Sequence, residues 1–328
     1  MKKNSTKYKG PYYGPLFFLV NKPVGVSSFD VIRKFKRALS KKIGKIGHFG
    51  TLDPFADGLM IVGIGGATRL NDYTQKLPKE YIAKGVLGIK SETGDFTAGE
   101  DQYYKDDNYS SLKYSNELID ETLKSFLGEY DQVPHKYSAT KFEGKNLYEW
   151  AREGVEIKKD PVRRHIYEIE LLAVEGDEVT FRVSCSSGTY IRVLFEDLAL
   201  KLGTFGALKE LRRSKIGPHF IENSFELGVL EKEDFDEEFF LSQYAQNIES
   251  LVDFPRIDFT DTEHFKFSNG QKFTVDREDA HYWVYFAQEL LGLVEVCQGN
   301  VTYCISYSGQ ETLKINNLTT RNSLDDRS

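Results

Sequence analysis

Eight residues, LMIVGIGG at positions 59–66, limit what this chain can fold into more than any others. An apolar run of that length, broken by glycine, is too short to span a bilayer and reads as a strand ending in a tight turn. Directly ahead of it stands GHFGTLDPFADG, positions 47–58, in which glycines crowd a histidine, two aspartates and a proline. Two readings of Asp53 are open from the residues alone. Asp before Pro can cap a turn, its side-chain oxygen accepting a backbone N–H while Pro takes the first helical position. Alternatively, the glycines at 47, 50 and 58 let backbone approach a ligand closely and place a carboxylate beside it. The following GIGGAT lacks the third glycine and the acidic residue of a dinucleotide turn, and no GK[ST] marks a phosphate loop.

The remaining periodicities predict an α+β chain. LFFLVNKPVG reads as strand then turn, and SSFDVIRKFKRALS as a helix capped by Ser28 with Val31, Ile32, Phe35 and Leu39 on one side. KEYIAKGVLGI alternates as a strand, and NELIDETLKSFLGEY predicts a helix with Leu118, Ile119, Leu123 and Phe126 inward. Two strands joined by an EGDE turn follow, then a helix beginning near GTYIR and a strand in GALKELRRSKIG. Beyond an acidic stretch, EHFKFSNGQKF, HYWVYFA, LLGLVEV and NVTYCISY read as closely spaced short strands, a small barrel-like β domain. The expected boundaries are a flexible basic N-terminus at 1–14, a large domain at 15–250, the β domain at 251–316 and a flexible tail at 317–328.

Charge adds a partner class. The chain has 43 Lys and Arg against 50 Asp and Glu, a net −7, yet its first fifty residues hold twelve basic side chains against the single acid Asp30. A local positive footprint, not the total, governs nucleic-acid binding. The acids cluster in LEKEDFDEEFF, expected to face away from any phosphates. The three cysteines form no CxxC pair and fit reduced thiols, and the six histidines show no metal-ligand spacing. With no signal-peptide pattern, the expected location is the cytoplasm.

Six blocks in one order carry a resemblance: NKPVGVSSFDVI, GHFGTLDPFADGLMIVGIGGATR, KEYIAKGVLGIKSETGD, VPHKYSATKFEGKNLYEWAREG, VSCSSGTYIRVLFEDLALKLG and LRRSKIG. The chain resembles the TruB-type tRNA pseudouridine synthases over roughly residues 16–220, and more weakly over the β domain, which resembles their PUA-like module. The resemblance implies a pseudouridine synthase catalytic domain built on a mostly antiparallel mixed sheet. It implies isomerisation of uridine 55 in the T loop of tRNA to pseudouridine, with no cofactor, metal, membrane or guide RNA, by a monomer. The alternative is a noncatalytic RNA-binding or tRNA-folding protein using the same cleft.

By the same resemblance Asp53 is the catalytic carboxylate. Arg192 in GTYIR pairs with it, and a guanidinium there would keep the carboxylate ionised and aimed. Tyr81, otherwise an ordinary strand aromatic, would stack on the flipped base and help remove the C5 proton. His48, Tyr190, Leu211 and Lys22 are the implied substrate-binding residues, with Lys22 bracing the floor of the site. Lys136, Lys141, Lys145 and Arg152, interleaved with aromatic residues, are RNA-contact candidates. Where the family commonly has two prolines before YSA, this chain has VPHKYSATK, and SETGDFTAGE carries Glu92 where aspartate is usual. Neither departure touches Asp53, Tyr81 or Arg192.

Overall fold

The computed structural model describes residues 12–97, 103–110, 114–134, 141–142, 145–146, 150, 159–307 and 312–313. Its large domain is organised by an eleven-stranded sheet. The principal strands are β1 (Leu16–Lys22), β2 (Ile46–His48), β3 (Asp57–Ile64), β4 (Lys79–Leu87), β5 (Gly128–Gln132), β6 (Val162–Glu175), β7 (Glu178–Cys185), β8 (Gly206–Ile216) and β9 (Phe225–Glu226). Their order across the sheet is β9-β1-β3-β8-β4-β7-β6-β5, with β2 pairing the free end of β3. Pairing is antiparallel except between β3 and β8 and between β9 and β1. The expected mostly antiparallel mixed sheet is therefore present.

The apolar run at 59–66 forms most of β3, whose Leu59 to Val62 are fully enclosed. Apolar side chains on both faces of β3 suit a strand covered on both sides. Gly58 makes its parallel contact with β8 possible. Its φ is +113°, and a Cβ there would lie 2.4 Å from the Arg213 carbonyl oxygen. Only glycine tolerates both the angle and the approach.

Helix α1 (Ser28–Ala38) buries Val31, Ile32 and Phe35 as its periodicity predicts. Its cap is Ser27, one residue before the serine expected. Ser27 and Asp30 exchange side-chain and backbone bonds in a capping box. Ser28 Oγ instead meets the Leu52 backbone, accepting its N–H at 2.9 Å and donating to its carbonyl at 3.0 Å. Helix α2 (Asn71–Lys76) follows β3, and α3 (Asn116–Lys124) packs Ile119 and Leu123 inward. Leu118 departs from expectation and is exposed, because it falls one position off that face.

Helix α4 (Ile191–Lys201) is apolar on most sides and sits in the core. Phe195 stacks on Phe181, and its ring occupies the space where a Cβ of Gly85 would be, only 2.3 Å away. Removing the side chain at 85 thus lets α4 settle onto β4. The acidic stretch supplies α5 (Glu237–Tyr244) and does not face away from the basic N-terminal region. Glu231 pairs with Lys34 at 2.5 Å, and Glu237 accepts from the Ser40 N–H and hydroxyl, so acids are docked against the basic helix.

The C-terminal sheet has four strands, β10 (Arg256–Asp258), β11 (Ala280–Phe286), β12 (Glu289–Cys297) and β13 (Asn300–Ser306), in that order. Among the described residues it is an open sheet rather than a barrel. The segment read as a strand in EHFKFSNGQKF begins with helix α6 (Asp261–Ser268), started by a Thr260–Glu263 capping box. Trp283, Leu293, Ile305 and Tyr307 join Phe17, Phe49, Leu59 and Ile61 in one apolar cluster, which fixes this sheet on the large one. No helix among the described residues is long and apolar enough to cross a membrane.

Candidate active site

The loop between β2 and β3, the end of β8, the start of β4 and the entry to α4 enclose a cleft of about 460 Å³. Asp53, Tyr81, Tyr190, Arg192 and Leu211 all line it, together with Thr51, Gln75, Lys79 and Arg213. Asp53 is the only carboxylate among the described lining residues, against the cations Lys79, Arg192 and Arg213. Such a cleft favours an anionic ligand while presenting it with one acid.

The Asp53 side chain is 36% exposed, and its Oδ2 lies 2.9 Å from Nη2 of Arg192. A turn does form at the Asp-Pro pair, but through the main chain, the Ala56 N–H donating to the Asp53 backbone carbonyl rather than to its side chain. That turn leaves the carboxylate facing the cleft. Arg192 is buried in the first turn of α4, the end of a helix that disfavours a cation. Two carboxylates offset this placement. Nη1 of Arg192 lies 3.1 Å from Asp95 Oδ2 and donates to the Thr93 carbonyl at 2.7 Å.

Asp95 was not among the residues singled out in the sequence. It is almost fully enclosed and accepts from the Thr93 hydroxyl at 2.8 Å, the Thr97 N–H at 3.0 Å and the Thr97 hydroxyl. It therefore fixes Arg192 from behind while Asp53 meets the same guanidinium from the cleft. Gln132, 1% exposed, does comparable work on the backbone. Its amide accepts from the Tyr190 N–H at 2.8 Å and donates to the Tyr190 carbonyl at 3.0 Å, pinning the entry to α4.

Beneath the loop lies a second unpredicted residue, Arg213, 1% exposed. Its guanidinium donates to the carbonyls of Leu59 at 2.7 Å, Thr51 at 3.2 Å and Gly50 at 3.4 Å. It is in register with Tyr81 across β8 and β4 and touches the phenol. Burial raises Tyr81 above the ordinary tyrosine range, with Arg213 opposing the shift, so the phenol is neutral at pH 7.

Lys22 does not reach the cleft. It is fully enclosed, and its Nζ donates to the carbonyls of Ala56 at 2.5 Å, Val26 at 2.8 Å and Pro23 at 3.0 Å. Desolvation lowers it to about 8, assisted by Arg213 and opposed by Asp57 and Asp53. It braces the Asp53 loop from below and cannot contact a ligand directly. His48 ends β2, half-buried and outside the described cleft lining. Burial first, then the Arg213 charge, holds it below the ordinary histidine range. Lys141 and Lys145 fall in the paired two-residue strands Lys141–Phe142 and Lys145–Asn146. Lys136 and Arg152 lie outside the described residues.

With this geometry in hand, comparison with known proteins gives concordant findings. Residues 36–191 match the family model described as TruB family pseudouridylate synthase (N terminal domain). The tRNA pseudouridine synthase B of Dehalococcoides mccartyi is 37% identical over 261 residues, covering 79% of this chain and 84% of that protein. The tRNA pseudouridine synthase B of Thermotoga maritima is 44% identical over 203 residues, covering 62% of this chain and 63% of its own. Among solved structures, a chain of an H/ACA RNP bound to a substrate RNA containing 2'-deoxyuridine superposes with a TM-score of 0.63. That match covers 97% of this chain and 96% of the other at 22% identity, a likeness of fold that includes the C-terminal sheet.

Proposed function

The chain belongs to the TruB family of pseudouridylate synthases, and on that premise we propose that it isomerises uridine 55 in the T loop of tRNA to pseudouridine. Asp53 is the catalytic carboxylate. The observation that carries this reading is a single acid among the described lining residues, clamped by a buried arginine, in a cleft whose other charged lining residues are cations. The enzyme works as a monomer in the cytoplasm, without a guide RNA.

The reaction breaks the bond from ribose C1' to N1 of uracil, turns the base, and joins C1' to C5. N1 gains a proton and C5 loses one, so the product has the composition of the substrate. A uridine within a folded T loop must first leave its stack, at a cost of a few kcal/mol. Stacking on the Tyr81 ring returns about 1–3 kcal/mol. Asp53 then acts on the base, on C1' or on a ribose proton, and each route needs an ionised, aimed carboxylate. Arg192 aims that carboxylate through its bond to Asp53, and Asp95 keeps Arg192 in place. Because the Tyr81 phenol is neutral, its hydroxyl relays the C5 proton only in concert with a second acceptor, not as a standing phenolate. Tyr190 and Leu211 wall the uracil site, and His48 lies on the approach to it. Lys136, Lys141, Lys145, Arg152 and the C-terminal β domain meet the tRNA backbone, the latter at the acceptor end.

Mapping of pseudouridine in an unmodified tRNA transcript incubated with the purified chain tests this reading. Pseudouridine at the T-loop uridine is expected. Modification only elsewhere, or tight binding with no isomerisation, would overturn it in favour of another target or of the noncatalytic RNA binder.

A further inference from the structure

Away from the cleft, three side chains with metal-ligating chemistry converge where the C-terminal sheet meets helix α2. They are His281 on β11, Glu295 on β12 and Cys304 on β13, and one donor atom from each lies within 4.8 Å of the others. The sequence spacing gave no metal signature because the donors come from three separate strands. The sheet assembles them. His281 and Glu295 are direct cross-strand partners, so their side chains share a face. Cys304 falls in the register shift between the Leu293–Ile305 and Val294–Tyr303 pairs. A bulge there adds a residue to β13 and re-aims its side chain.

The surroundings hold these groups. The His281 ring is stacked on Phe254 at 5.3 Å and met edge-on by Tyr73 of α2 at 5.2 Å. Cys304 packs at the margin of the cluster containing Trp283 and Leu293, and Tyr73 interacts with its thiol. Cys304 is partly accessible, and Glu295 is exposed, so an ion can enter.

We infer that His281, Glu295 and Cys304 form a binding site for a thiophilic divalent cation, best matched by Zn2+. Imidazole, carboxylate and thiolate are a zinc donor set, whereas Mg2+ and Ca2+ take oxygen ligands. Zinc bonds of about 2.3 Å to sulfur and about 2.0 Å to nitrogen place neighbouring donors about 3.5 Å apart, so closure needs a movement of about 1 Å. On binding, the Cys304 thiol gives its proton to solvent as the S–Zn bond forms. The thiolate and the carboxylate then balance the dication. A fourth position remains for water. The bound ion staples three strands beside α2, whose Gln75 lines the cleft.

The test uses the full chain, stripped with chelator and titrated with Co2+ and then Zn2+. One Co2+ per chain is expected, with a thiolate-to-cobalt charge-transfer band in the near ultraviolet. Stoichiometric Zn2+ should displace it, and Zn2+ binding should release about one proton at pH 7. Cys304→Ser removes the band and Cys297→Ser keeps it. Tyr73→Phe, which leaves all three donors, weakens binding by about 10-fold, the effect of losing an outer-shell contact. Circular dichroism on each variant separates ligand loss from unfolding. Absence of saturable binding by the wild type, a band that survives Cys304→Ser in the folded protein, or a band lost with Cys297→Ser would overturn the assignment.

Discussion

Substituting Asp95 separates holding the catalytic pair from being part of it. Asp95→Ala deletes the buried carboxylate that accepts from Arg192, Thr93 and Thr97. Breaking a buried ion pair from one side costs about 3–5 kcal/mol. Arg192 keeps Asp53 and the Thr93 carbonyl as partners, so the expected loss is near the lower bound, about 3 kcal/mol. The guanidinium is then free to swing away from the cleft. A displacement of about 1 Å in a catalytic constellation costs about 100-fold in rate, which sets the expected fall in single-turnover isomerisation. Asp95→Asn retains the shape and the Thr97 contact while losing the charge. It should unfold closer to wild type in urea yet remain slowed about tenfold or more. Release of tritium from tRNA labelled at uridine C5 gives the rate, and filter binding gives affinity, which both variants should retain. A folded Asp95→Ala protein that binds tRNA and turns over within about twofold of wild type would refute the positioning argument.

Other perturbations follow from the same geometry. Lys22 is lowered to about 8 by burial, so between pH 8 and its unfolded value of 10.5 the unfolded chain holds the extra proton, and stability from this group rises with pH. Relative to Lys22→Met, the wild type should gain on the order of 3 kcal/mol across that window in urea unfolding; a flat difference contradicts the buried placement. Tyr81→Phe keeps the ring and should bind tRNA normally while losing turnover, whereas Tyr81→Ala should also lose about 1–3 kcal/mol of binding in a filter assay. Arg213→Lys cannot reproduce a fork to the carbonyls of Leu59, Thr51 and Gly50, and both melting temperature and isomerisation rate should fall, the rate about tenfold or more.

Local signals in the sequence were enough to read most strands and three of the principal helices, because their apolar periods coincide with burial. The failures have local causes. Ser27 and Ser28 are adjacent, and only the spacing to Asp30 selects Ser27 as cap. In residues 263–267 the order His-Phe-Lys-Phe within EHFKF alternates like a strand, yet the Thr260-x-x-Glu263 box ahead of it starts a helix. The pairing of Asp53 with Arg192 was anticipated through family resemblance, not periodicity. Asp95 and Arg213 were missed because their roles arise only when distant segments meet. Asp95 reaches Arg192 across 97 positions, and Arg213 reaches Leu59 across 154. No local pattern distinguishes such residues from a polar loop carboxylate or a strand cation. Lys22, by contrast, was expected to brace the floor of the site, and its three carbonyl contacts place it under the Asp53 loop.

The central claim is that Asp53 performs chemistry at the uridine rather than shaping a binding groove. Its most direct test is tritium release from C5-labelled tRNA by wild type and Asp53→Asn, with tRNA binding measured on the same preparations. The account predicts one tritium released per tRNA by the wild type and none above background by Asp53→Asn, with comparable binding by both. Release by Asp53→Asn at the wild-type rate would contradict it.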